Sequence, residues 1–242
     1  MKYFKQYILS LIILISSTMP ETYAQSNGGL SVQQQNMVKI SALTAVGDLA
    51  NLKKSLNEGL DTGLTVSEIK ESLVHLYAYC GFPRSIRGLQ TFMEVLDERK
   101  AKGINDRQGS EASVISNDGS KYERGKAILG ELTKAKQDGP LTGYSAFAPA
   151  IDTFLKEHLF ADIFERDVLT YAQRELITIS VLSSIGGVEP MLRGHLTICL
   201  NVRLTPQQLT HFIAVIESTV GKEKANAAKT VLADVLKDRQ QK

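Results

Sequence analysis

The segment Gly63-Leu64-Thr65-Val66-Ser67-Glu68-Ile69-Lys70-Glu71, continuing through His75 to Tyr79-Cys80-Gly81-Phe82-Pro83, decides how the whole chain reads. Thr65 followed three residues later by Glu68 matches a capping box, where the hydroxyl takes an amide of the first helical turn and the carboxylate reaches back. Behind that cap Ile69, Leu73, Leu76 and Tyr77 fall on one side of a helix that runs to the Gly81-Phe82-Pro83 break. Upstream, Met37, Ile40, Leu43, Val46, Leu52 and Leu56 have helical spacing and predict a helix over 37–59. Downstream, Ile86, Leu89, Phe92, Met93 and Leu96 predict another from about Arg84 to Glu98. Residues 103–120, with Gly103, Asn105, Asp106, Gly109, Ser110, Asn117 and Gly119, read as a polar linker. A short helix at about 121–136 and a Gly139-Pro140 break then precede a second helical block, and no stretch alternates with period two for long. The expectation is an all-α protein.

The same unit occurs twice. Displaced by 140 residues, Leu52 falls on Leu192, Leu60 on Leu200, Leu64-Thr65 on Leu204-Thr205, Gly81 on Gly221, and Val95-Leu96 on Val235-Leu236, without a gap. Leucine matches are cheap, but a shared Leu-Thr cap and a shared glycine at one offset are not. Two tandem repeats follow, the first over 31–102 and the second over 121–240. They make a pseudo-symmetric pair rather than a solenoid, which needs more copies. Their polar residues diverge: Glu68, Glu71, His75, Tyr79 and Cys80 stand where the second copy has Gln208, His211, Val215, Thr219 and Val220, and His195 stands where the first has Ser55. One composite site permits such specialisation, and so does drift.

Composition excludes more than it assigns. The chain has 242 residues, 43% of them apolar, which is enough for a real core and too long for a disulfide-stapled miniprotein. A net charge of +2 sets up no field for nucleic acid, and the absence of Trp argues against a stacking platform. Four scattered His and two Cys give no metal-ligand cluster. Lys2 and Lys5, the apolar run from Ile8 to Ile15, and small residues up to Ala24 fit a cleavable signal peptide over 1–24, too short to span a bilayer. Its removal takes Lys2, Lys5 and Glu21 from Lys+Arg 28 and Asp+Glu 26, leaving 26 and 25. The mature protein is then nearly neutral, secreted or periplasmic, and not bound to membrane.

Gly63 to Glu71 and Tyr79 to Pro83 resemble the second half of the carboxymuconolactone decarboxylase domain. Arg174-Glu175-Leu176-Ile177-Thr178 through His195 and Leu204-Thr205 resembles its first half, so the likeness covers about 37–99 and 122–238. The resemblance implies an alkylhydroperoxidase-D-like, all-helical fold, a homo-oligomer, a small-molecule substrate and no cofactor. Peroxidase members carry Cys-x-x-Cys followed after three residues by His, and counting back from His195 places Val188 and Met191 at those positions. Dithiol peroxidase chemistry is therefore disfavoured, because it needs a low-pKa thiolate beside a resolving thiol. Arg203 also departs, standing where the family has Gly before the Leu-Thr turn.

Decarboxylase members convert 4-carboxymuconolactone to an enol-lactone with loss of carbon dioxide, which implies carboxy-lyase-like acid/base chemistry on a small carboxylated lactone. Such a reaction needs a group for the carboxylates, stabilisation of the dienolate and a proton donor. His195 is the candidate donor or oxyanion stabiliser, and Glu175 either orients it, acts as base or pairs with Arg174. Arg193 and Arg84 are candidates for carboxylate recognition. The alternative is a redox protein in which Cys80 is a lone reactive thiol assisted by His75 or Glu71; Cys80 and Cys199 are also the one possible intrachain disulfide. A non-catalytic oligomeric binding module is the third reading. Phe154, Leu155, Leu159, Phe160 and Phe164 are either an interface between chains or internal core.

Overall fold

A computed structural model describes residues 28–115 and 118–241. The export signal expected over 1–24 lies outside the described residues. The helices are α1 (Val32–Val46), α2 (Leu49–Asp61), α3 (Val66–His75), α4 (Tyr77–Ala101), α5 (Lys121–Thr133), α6 (Gly143–Phe147), α7 (Pro149–Phe154), α8 (Tyr171–Ile185), α9 (Glu189–Asn201), α10 (Pro206–Val220) and α11 (Lys222–Gln240). A π-helical segment, Leu155–Ile163, follows α7, and there is no strand among the described residues. The protein is all-α, as expected.

The helix expected over 37–59 is two helices. Gly47, at φ 77°, caps α1 by donating to the Leu43 and Thr44 carbonyls, and the Asp48 carboxylate then accepts the Asn51 amide to open α2. A cap of each kind on adjacent residues breaks an apolar periodicity that is itself continuous. Beyond α3 the chain bends at Leu76 and again at Gly81, whose φ of 82° and ψ of 160° only glycine adopts without strain. Residues 103–115 are held against the fold. The Arg107 and Gln108 carbonyls accept the Val66 and Ser67 amides at 3.0 and 2.8 Å, which satisfies two donors that a helix start leaves open.

The repeat is physical. α2 and α9 begin and end at the 140-residue offset, Thr65 and Thr205 both close capping boxes, and Gly81 and Gly221 share one backbone conformation. The correspondence reaches further than the sequence showed. α1 and α8 match over their whole length at an offset of 139, with capping boxes at Ser31 and Thr170, and the loop after α8 holds one extra residue.

Neither repeat closes a core alone. α1 and α8 lie side by side at the centre. Val38 and Ala42 of α1 pack into the cluster built from α8–α11, while Ile177 and Val181 of α8 pack into the cluster built from α1–α4. A third cluster joins Leu132 of α5 and Leu159, Phe160, Ile163 and Phe164 to Ile198 of α9. Leu159, Phe160 and Phe164 are thus core, whereas Phe154 is exposed. Tyr79 packs against all three clusters.

The copies also hold each other's entry segment. The Glu71 carboxylate of α3 accepts a bidentate pair from Arg166, ahead of α8, at 2.9–3.0 Å. At the equivalent place on α10, His211 Nδ1 accepts the Leu30 amide, ahead of α1, at 3.0 Å.

Arg203 occupies the position of Gly63 and is forced to a φ of 74°. A side chain there is strained, so Arg203→Gly is expected to raise stability by about 1 kcal/mol. Urea unfolding checks this, and a midpoint that falls contradicts it.

Candidate functional site

α8 and α9 bring two of the expected residues together. Glu175, in the second turn of α8, is fully buried, and its Oε2 lies 2.8 Å from His195 Nδ1 on α9. A carboxylate only accepts, so Nδ1 carries a proton, and among the described residues Nε2 has no hydrogen-bond partner. The His195 side chain is 16% exposed, which leaves the ring an open edge. Glu175 Oε1 is buried without a partner. The equivalent positions in the first repeat, Asn36 and Ser55, carry no such pair; Asn36 instead donates to Thr62 Oγ1 at 2.8 Å.

A second polar group lies behind the first. Arg174, fully buried, donates from Nη2 to Glu71 Oε1 at 2.8 Å and to the Arg166 carbonyl at 2.6 Å. Arg174, and not Glu175, is therefore the half of the Arg-Glu dipeptide that makes a buried ion pair. Arg174 Nη1 also donates to His75 Nδ1 at 3.3 Å, while His75 Nε2 donates to Thr178 Oγ1 at 3.0 Å and Thr178 in turn donates to the Arg174 carbonyl. This arrangement needs a neutral His75. Burial, with the neighbouring Arg174 and His195 charges, holds its pKa well below the ordinary value. Glu71 and His75 are both buried within this network, 3% and 0% exposed.

The remaining candidates fall elsewhere. Arg193 is two residues from His195, about 200° around the helix. It pairs with Asp238 and lines a groove with Lys134, Asn201 and Arg239. Arg84 lies on exposed α4, its guanidinium against Gly47 and beside Cys80. The expected carboxylate-binding arginines thus do not reach the His195–Glu175 pair. Cys80 donates its S–H to the Leu76 carbonyl at 3.3 Å, and burial pushes its pKa up to about 11 despite Arg84. Cys199 is fully buried in the second repeat, and both thiols are free. Val188 caps α9 and Met191 is half exposed, so no thiol replaces the missing pair.

Arg166 lies in an irregular stretch without periodicity that gives no sequence signal, and Tyr79 has a place in the site that its spacing alone does not show. Tyr79 meets His75 and His195 with ring centroids 5.4 and 5.6 Å away. It begins the Tyr-x-Gly-x-Pro ending, which was the available signal.

The sequence matches the carboxymuconolactone decarboxylase family over residues 18–92 and again over 149–234. The chain belongs to this family. A 4-carboxymuconolactone decarboxylase of Acinetobacter baylyi (strain ATCC 33305 / BD413 / ADP1) is 28% identical over 123 residues, half of this chain and 91% of the relative. A single carboxymuconolactone decarboxylase of that length thus corresponds to about half of the present chain. The double match agrees with two structural repeats that share one His–Glu pair.

The buried His75 gives the family member a defined pH dependence. Folding keeps it neutral, whereas the unfolded chain takes up a proton below its ordinary value of 6.5. Stability is therefore complete above that value and falls beneath it, by up to about 1.4 kcal/mol per pH unit. Denaturant unfolding between pH 7.5 and pH 5 checks this against His75→Gln; an unchanged slope in the variant contradicts the assignment.

Proposed function

We propose that the protein is an acid/base lyase acting on a small carboxylated lactone, with His195 as proton donor and Glu175 as the group that holds it. The observation carrying this reading is the 2.8 Å contact between a fully buried carboxylate and the Nδ1 of a partly exposed imidazole. The acting donor is the imidazolium, protonated on both nitrogens: Glu175 accepts from Nδ1–H, sets the ring angle and offsets the positive charge, and Nε2–H is the proton available to a ligand. In decarboxylation the bond from ring carbon to carboxylate breaks and carbon dioxide leaves. The electron pair stays on carbon, spread onto the lactone oxygen, and the Nε2 proton is delivered to carbon; solvent then reprotonates His195. The name of the Acinetobacter relative supports the substrate class.

The lone-thiol alternative has little chemical support. A thiol held at about 11 is protonated at neutral pH, and neither His75 nor Glu71 touches it. Export through the 1–24 segment would place the protein in the periplasm or outside the cell, so exogenous lactone acids belong among the substrates tried. We also propose a homo-oligomer, assembled through the exposed Tyr144, Phe147 and Phe154 of α6 and α7.

The test is carbon dioxide release from a panel of carboxylated γ-lactones, 4-carboxymuconolactone included. His195→Gln is expected to lower kcat about 100-fold or more and Glu175→Gln about 10-fold, with Cys80→Ser unchanged. Turnover that survives His195→Gln, or that vanishes in Cys80→Ser, contradicts the reading.

A further inference from the structure

The Tyr79 hydroxyl is buried with no partner among the described residues at hydrogen-bonding distance; the Thr178 hydroxyl nearby is already used by His75 and the Arg174 carbonyl. A phenol in that state lowers stability, and phenylalanine would fill the same space without the penalty. Its surroundings are not those of an ordinary core tyrosine. The ring stands where the three apolar clusters meet, so its position is set by packing alone. On one side is His75, on the other His195, which it meets edge-on at 85°. Burial and the nearby Glu175 carboxylate push its pKa far above the ordinary value, so it is always a donor and never a phenolate at neutral pH. Glu175 Oε1 is also without a partner, so the phenol is not used to hold the carboxylate. At the equivalent position of the second repeat, Thr219 donates its hydroxyl to the Val215 carbonyl of its own helix. Tyr77, whose hydroxyl is unpaired too, stacks on exposed Phe82 at 4.4 Å and lies beside His158.

We infer that Tyr79 is a third substrate-contacting residue of the His195–Glu175 centre, supplied by the first repeat, and that its hydroxyl donates to the enolate oxygen of a small lactone. The substrate class rests on the lyase reading above. A neutral donor fixed in an apolar setting is suited to an oxygen on which charge gathers only during reaction, because it needs no reorganisation to meet that charge. Proton delivery from His195 and charge stabilisation by Tyr79 then come from different repeats, which explains why the two copies kept different polar side chains.

The probe is tetronate, a five-membered lactone that is a stable enolate in neutral water, with γ-butyrolactone as its uncharged counterpart. Binding is measured by calorimetry to the full protein, to Tyr79→Phe and to Tyr77→Phe, alongside thermal unfolding of each. The expected result is that wild type and Tyr77→Phe bind tetronate more tightly than γ-butyrolactone. Tyr79→Phe is expected to lose at least 10-fold in tetronate affinity while its Tm stays level or rises. A merely structural tyrosine would leave tetronate affinity unchanged on change to Phe, whatever its Tm, and that outcome overturns the inference, as does wild type that binds no tetronate. Turnover separates the two claims. Tyr79-dependent tetronate binding without decarboxylation of any lactone acid removes the lyase reading alone, whereas full turnover by Tyr79→Phe removes the Tyr79 role alone.

Discussion

Glu71 and Arg174 meet at 2.8 Å across the boundary between the two repeats, and both are almost wholly out of water. Desolvating such a pair is costly, and only near-complete hydrogen bonding offsets it. Here Arg166 takes both oxygens of the same carboxylate from the other side, while the Arg166 carbonyl and His75 share the Arg174 guanidinium. The result fixes α3 of one copy against α8 of the other in both rotation and height. Glu175 is the next residue along α8, so its direction toward α9, and hence its contact with His195, depends on that clamp.

Duplication gives this architecture its freedom. A symmetric pair would present the same polar residues twice, but once both copies lie in one chain each can lose what the other keeps. The second repeat has kept Glu175 and His195, where the first has Asn36 and Ser55. The first has kept Glu71, which grips the entry to α8, and the second uses His211 for the matching grip on the entry to α1. The shared core enforces the arrangement, because α1 and α8 each complete the cluster of the opposite copy.

Much of this was legible in the chain. The capping box at Thr65, the apolar spacing after it and the 140-residue offset lead to the helices and the repeat without any structure, since each is a local pattern with a local cause. The break at Gly47-Asp48 escaped because apolar spacing carries across it, although both residues are capping types. The α1–α8 match escaped because one extra residue after α8 shifts its offset. At the site, His195 and Glu175 were marked out by the resemblance of their segment to the family, and they do meet. Arg84 and Arg193 did not follow, since the side of a helix on which an exposed arginine finds its partner depends on tertiary packing. Cys80 and His75 were named from residue type alone; the fold sets His75 in the core and leaves Cys80 half-buried with its pKa raised to about 11. Arg166 had no pattern to betray it.

The most direct test of the interlocked arrangement is a double-mutant cycle on Glu71 and Arg174, read by equilibrium unfolding. Glu71→Leu is expected to cost about 3–5 kcal/mol by stranding the buried Arg174 charge, Arg174→Leu less because Arg166 still pairs with Glu71, and the double change less than the sum, within one cooperative transition. Additive losses, or separate transitions for the two halves in the unaltered protein, would contradict it.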